Sequence, residues 1–353
     1  MRLSWPLGRA TTVLVVAVAA LGALDLALGA ARERTRRAEA ELVRLVPVRV
    51  FELAEVERLD LTLGDGSGTW TYLKRSGAHR IPRYRDAYAL SPSVESIEKA
   101  LVEGRGTRAA RFPAAAERYG LSPRTAMKLE LRDRDGYLLL EALAGRVAPG
   151  ERGDECYVAQ AEGESVLLLN ANPWSPLALA GDGHLPPLID TRVVPGALQR
   201  ASIARIGVTP TPSGLAELTR REIPRDPESR EPDRGPRFEW TASFLEGGER
   251  RVNDVAAGRY AAFVAGLSFD DLVGPASTER ARAGAPVLTL VLHYDGGAED
   301  TLTLGSRTPD GRHFLHSTAT DQVFLLGSGD AAQLLPDVGA LLAPMPKREE
   351  RDG

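Results

Sequence analysis

One cysteine in 353 residues leaves no partner for an internal disulfide, and five histidines without clustered thiols leave little material for a zinc site. No cofactor, metal ligand set or catalytic residue is read from the chain. Basic excess is missing as well: 44 Lys and Arg stand against 48 Asp and Glu, a formal net charge of -4. The chain as a whole therefore offers no electrostatic invitation to nucleic acid. Phosphate-loop chemistry is absent too. The glycine-rich stretch 64–68 lacks the Gly-Lys-Ser/Thr ending, no lysine occurs until Lys74, and no helix start follows directly.

What is present is length enough for two domains or one large one. From Ala10 to Ala31 the chain is apolar apart from two threonines and Asp25, the length a helix needs to cross hydrocarbon. This predicts a short leader at 1–9, a transmembrane helix at 10–31 and a juxtamembrane helix at 32–46 ended by Pro47. The flanking charges disagree on orientation. Arg32, Arg34, Arg36 and Arg37 outnumber Arg2 and Arg9, which favours the C-terminal side inside, whereas a short basic leader before an apolar run is how an export signal begins. Ala27 and Gly29 offer a small-residue cleavage site as the alternative to a retained anchor.

The remainder reads as α+β: two tandem, internally duplicated modules of antiparallel hairpins packed with helices, at 47–195 and 196–342, before a polar tail at 343–353. In the first, Val94, Ile97 and Leu101 recur at helical spacing after Ser91-Pro92, and Met127, Leu129 and Leu131 alternate with charged residues before Asp135-Gly136. In the second, Asn253 caps a helix with Ala256, Tyr260, Phe263, Val264 and Leu267 as its stripe, and Val287 to Leu292 precede Asp295-Gly296. Cys156-Tyr157-Val158 aligns with His313-Phe314-Leu315, and 166–169 aligns with 323–326 at the same offset. The prolines and balanced charges of 220–237 read as an exposed insertion in the second module.

Residues with reactive side chains are scattered. His313 and His316 point to opposite faces of an expected strand, Ser328 in Gly-Ser-Gly lacks the longer nucleophile pattern, and Asp270-Asp271 follow a helix as capping groups would. Cys156 faces His313 in the alignment, so the fold does not require a thiol there. Trp70, Tyr157, Trp240, Phe263, Phe269 and Phe314 are assigned structural roles, as large rings in sheet–helix interfaces.

The layout resembles the DUF4340 family, including members found with gliding-motility-type ABC transport components. The likeness rests on the strand near Trp240, the helix from Asn253 to Leu267, Phe269-Asp270-Asp271-Leu272, and Tyr119-Gly120-Leu121-Ser122-Pro123. His79 stands where the first copy would carry the tryptophan, a departure from the pattern. The resemblance implies an extracytoplasmic accessory or protein-interaction role beside an ABC-type transport or envelope machine, and it carries over no catalytic residue. The resulting expectation is a single-pass inner-membrane protein with a periplasmic body, the lipid bilayer and an ABC permease or other envelope protein as partners. A secreted module binding a polysaccharide or small ligand is one alternative, and an enzyme with its site between the modules is another.

Overall fold

Apolar and charged residues alternate along 127–132, and the computed structural model, which describes residues 42–46, 50–64, 68–148, 155–179, 185–210, 214–223 and 237–343, places them on opposite faces of a strand. Met127, Leu129 and Leu131 are fully buried, as are Leu59 and Leu61 on the neighbouring strand. On the other face Lys128 pairs with Glu130 (2.7 Å) and Glu141 (3.1 Å), while Arg132 pairs with Glu130 (2.6 Å) and the buried Asp60 (3.3 Å). One face supplies apolar burial and the other a cross-strand row of opposite charges.

Two large antiparallel sheets result. The first contains β1 (Val43–Arg44), β2 (Arg58–Thr62), β3 (Thr69–Arg75), β4 (Ala78–Ile81), β5 (Ala87–Tyr88), β6 (Arg105–Arg111), β7 (Met127–Arg132), β8 (Leu138–Val147), β9 (Cys156–Gln160) and β10 (Ser165–Leu169), with helix α1 (Ser91–Val102) between β5 and β6. Its order is β1-β6-β10-β9-β8-β7-β2-β3-β4-β5. The second contains β11 (Ile203–Thr209), β12 (Leu215–Ile223), β13 (Arg237–Phe244), β14 (Gly248–Arg251), β15 (Asp271–Pro275), β16 (Leu288–Tyr294), β17 (Glu299–Arg307), β18 (His313–Ser317) and β19 (Gln322–Leu326). Helix α2 (Asp254–Ala265) lies between β14 and β15, α3 (Ala276–Glu279) follows β15, and α4 (Ser328–Gln333) and α5 (Val338–Leu342) close the described chain. The order here is β14-β13-β12-β11-β16-β17-β18-β19-β15.

Reversed and renumbered, the second order equals the first without β1. Local details agree as well. β6 and β15 are each bulged opposite their partner, between Val166 and Leu167 in one copy and Leu272 and Gly274 in the other. β8 and β17 are bulged between Ala144 and Val147 and between Leu304 and Arg307. A side chain on Gly145 would meet the Tyr119 carbonyl at 2.3 Å, and one on Gly305 the Ala283 carbonyl at 2.2 Å. Even β1 has a counterpart, the bridge of Arg192 with Ser268 just ahead of β15.

The chain packs as two compact units: residues up to 69 with 96–175, and 70–95 with the residues from 176 on. In the first unit, Leu121, Ala159 and Val166 form an apolar cluster bordered by Ala110, Phe112, Tyr119 and Tyr157. In the second, the Tyr72 hydroxyl donates to the Pro187 carbonyl (2.6 Å), and the Leu90 and Asp190 N–H groups donate to Leu188 and Tyr88. These bonds tie 70–95 to the segment 185–190. Asn253 caps α2, its side chain accepting from Val255 and Ala256 N–H. The helix has two working faces: Ala257, Ala261 and Val264 are buried, whereas Ala256, Tyr260 and Phe263 line a groove of about 360 Å³ with Leu335 and Ala340.

The expected architecture is corrected in its first element. Among the described residues no helix is long and apolar enough to cross a membrane; α1 and α2 have 12 residues each, about 18 Å against the roughly 30 Å of a hydrocarbon core. The transmembrane helix expected at 10–31, the leader at 1–9 and most of the juxtamembrane helix lie outside the described residues, and the fold is an α+β pair of large antiparallel sheets without them. The inner-membrane and periplasmic placement, the bilayer as partner and the anchored role beside an ABC permease all depended on that helix and are withdrawn with it. Val43 and Arg44, expected in a helix, pair instead with Gly106 and Arg105. Of the expected insertion, Arg220 to Ile223 extend β12 and Arg237 opens β13; 224–236 lie outside the described residues, as does the tail from 344 on.

Because carbonyls crowd Gly145 and Gly305, Gly145→Ala and Gly305→Ala should each destabilise the fold by about 1–3 kcal/mol. Gly258, mid-helix in α2 with open space around it, should behave oppositely, Gly258→Ala adding about 0.5–1 kcal/mol. Urea denaturation of the three variants checks both signs.

Candidate functional site

Helix α1 ends where Gly104 meets it, since a Cβ there would lie 2.0 Å from the Ala100 carbonyl. The chain then turns into β6, whose residues Arg105-Gly106-Thr107-Arg108-Ala109-Ala110-Arg111 show no apolar alternation. Partners make this segment a strand. β10 pairs with it from Gly106 to Arg111, and the Phe112 N–H continues the ladder to the Glu164 carbonyl (2.9 Å). Gly106 allows the approach, because any side chain there would meet the Leu168 carbonyl at 2.3 Å. Ala110 and Phe112 rest on the apolar cluster of the first unit, which holds the strand in place.

Among the described residues the other side of β6 is covered at Arg105 and Gly106, by β1. From Thr107 to Arg111 that side has no strand neighbour among the described residues, so none of them pairs with its backbone donors and acceptors there. Arg105, Arg108 and Arg111 are exposed and make no ion pair among the described residues. A cleft of about 760 Å³ runs beside them, lined by Arg108, Ala109, Ala110, Arg111, Phe112, Glu164 and Ser165. Arg108 and Arg111, without an ion pair among the described residues and lining the cleft beside this edge, favour an acidic, extended ligand. The same arginines oppose pairing of β6 with another β6, where like charges would face each other.

The equivalent edge in the second sheet is occupied. On β15 the Tyr84 hydroxyl donates to Asp271 Oδ1 at 2.5 Å and lies against the Leu272 N–H. Burial, and then the bond to Asp271, push that phenol up to about 12. The Gln322 amide donates to the Arg85 carbonyl (3.1 Å), and a Cβ on Gly274 would touch both Glu279 (3.2 Å) and Arg85 (3.8 Å). All of these residues belong to the second unit. A basic connection, residues 82–86 between β4 and β5, is thus seated on an acidic edge.

The residues singled out from the sequence are dispersed. Trp240 and Phe269 are buried, Phe269 stacking on Phe324 with centroids 4.7 Å apart. Trp70, Tyr157, Phe263 and Phe314 are half-buried. Arg83 lies over Trp70, Tyr119 packs on Tyr157 (4.5 Å), Arg282 lies over Phe314, and Phe263 faces the α2 groove. Burial pushes the Cys156 thiol up to about 12, and its Sγ lies 3.6 Å from the Gly145 carbonyl. Ser328 is exposed at the start of α4. His313 lies near the Gly305 carbonyl, and no group of His, Cys, Asp and Glu among the described residues is placed to hold a metal. Sequence reasoning passed over Arg105, Arg108 and Arg111. The signal was there, five arginines against Glu117 between 105 and 124 in a chain of net charge -4, but whole-chain charge concealed it.

The surroundings of His316 shift its titration near neutral pH. The residue is buried, with Nε2 3.5 Å from Asp321 Oδ1 but not aligned for a hydrogen bond. Burial, aided by Arg280, lowers its pKa from 6.5, against the pull of Asp321. No protein-family profile, curated protein or solved structure matches this chain.

Since the folded state binds the His316 proton less readily than the unfolded chain, stability should be complete above pH 6.5 and decline below it until the lower folded value is passed. Denaturation midpoints measured from about pH 7.5 down to 5 should show this decline, and His316→Gln should flatten it.

Proposed function

We propose that this chain is a docking protein whose β6 edge receives an acidic, extended segment of a protein partner. The observation that carries the reading is the edge from Thr107 to Arg111, which among the described residues has neither a strand neighbour beyond Gly106 nor an ion pair to its arginines. Added strands gain affinity from main-chain hydrogen bonds and selectivity from alternate side chains, and here the selective groups are guanidinium forks that match carboxylates. The rigid apolar support under Ala110 and Phe112 favours the same reading, because a pre-ordered edge loses less entropy on binding. Binding is also better supported than catalysis: the thiol of Cys156 stays protonated near neutral pH, and Asp271 is engaged by Tyr84 and by the Leu272 N–H.

A fluorescein-labelled nonapeptide alternating Glu with Val, titrated by anisotropy, tests this. Affinity should fall at least about tenfold in Arg108→Glu/Arg111→Glu, roughly 1.4 kcal/mol, and should weaken with salt. Equal binding by the wild type and the double variant would contradict the reading.

A further inference from the structure

The duplicated topology states which part of the fold seats on this edge. In each copy, the edge strand that follows the helix (β6 or β15) has an equivalent at the far end of the sheet, the hairpin that precedes the helix: β4–β5 in the first copy and β13–β14 in the second. The equivalence is close. Each helix begins three residues after the last strand of its hairpin, at Ser91 after Tyr88 and at Asp254 after Arg251. The β4–β5 connection, from the first copy, occupies β15, from the second. The turn in the same position on the second copy is 245–247, and the edge in the same position on the first is β6. Among the described residues nothing covers β6 beyond Gly106.

The seated contact is made by the Tyr84 hydroxyl on Asp271 and the Gln322 amide on the Arg85 carbonyl, and the charged residues around its two members are of opposite sign in the other copy. The seated connection carries Arg83 and Arg85, and the edge it meets carries Asp271 with Glu279 nearby. The turn 245–247 presents Glu246, exposed and without an ion pair among the described residues, while the β6 edge presents Arg105, Arg108 and Arg111. Glu249 is engaged by Arg221 (2.8 Å), and Arg250 lies back over the Phe244 ring, so Glu246 is the free charge at the tip. Beside it Leu245 is 70% exposed. A turn and an edge that are complementary in charge sit at opposite ends of one repeat pattern. Such surfaces make a heterologous contact, in which each copy gives its turn and receives on its edge.

We propose that the segment received by β6 is the β13–β14 turn, Leu245 to Gly247, of a second copy of this chain, so that copies associate head to tail by repeating between chains the contact that the β4–β5 connection makes on β15. The inference rests on the docking reading of β6 and names its occupant.

Sedimentation velocity of the full chain over a concentration series tests it, with two charge-reversed proteins: Arg108→Glu/Arg111→Glu and Glu246→Arg. The wild type should show mass rising with concentration. Each variant alone should associate at least tenfold more weakly, because like charges then meet at the contact. Mixed in equal amounts, the two variants should associate again, since every turn then finds an edge of opposite sign. A wild type that stays monomeric, association indifferent to either change, or a mixture no more associated than its components would overturn the proposal. If the Glu-Val peptide still binds β6 in an arginine-dependent way while the chain stays monomeric, only the identity of the occupant falls. If the peptide and the self-association are both indifferent to Arg108 and Arg111, the docking reading falls with it.

Discussion

A strand at the end of a sheet leaves backbone donors and acceptors without partners, and that requirement organises this protein. In each sheet a bulged strand follows a 12-residue helix: β15 ends the second sheet, and β6 in the first has the two-residue β1 outside it. On β15 the segment 82–86 contributes within the chain: Tyr84 bonds the Asp271 side chain and lies against the Leu272 N–H, and Arg85 lies beside Gly274. On β6, among the described residues, the requirement is met at Arg105 and Gly106. The remaining residues carry arginines, which suit an acidic partner and repel a like edge. Function is argued from this difference between two otherwise equivalent positions.

The difference is visible because the rest of the fold repeats so closely. Identical strand order alone would be a weak argument, since antiparallel meanders recur. Shared irregularities weigh more. Bulges fall at matching places in the edge strands and in the long strands β8 and β17, and Gly145 and Gly305 are both approached by a carbonyl from the segment ahead of the next strand. Each is a local departure from ideal pairing that must be built by specific residues. Their coincidence makes β6 and β15 comparable residue by residue.

Much of the fold was legible where burial imposes a period. The alternation at 127–132, the buried face of α1 through Val94, Ile97 and Leu101, and the Asn253 cap are found as read, because each follows from one local rule. β6 was not legible. Its arginines, alanines and single threonine lack strand periodicity, and only the ladder to β10 makes it extended. The short strands β4, β5, β14 and β15 escaped for the same reason. The α2 stripe was half right: Val264 and Leu267 are buried as expected, but Ala257 and Ala261 bury as well and Tyr260 and Phe263 turn to α4 and α5, since small residues set how closely a helix sits. The candidate site was hidden by averaging, a basic edge inside an acidic chain. The apolar run at 10–31 drew the functional expectation towards a membrane, whereas the described fold directs it to a strand edge.

Amide hydrogen exchange in dilute solution tests the central claim most directly, by comparing the two edges within one molecule. If β6 is open and β15 covered, residues 107–111 should contain amides exchanging at least an order of magnitude faster than that of Leu272. Protection of 107–111 equal to that of Leu272 would contradict the account.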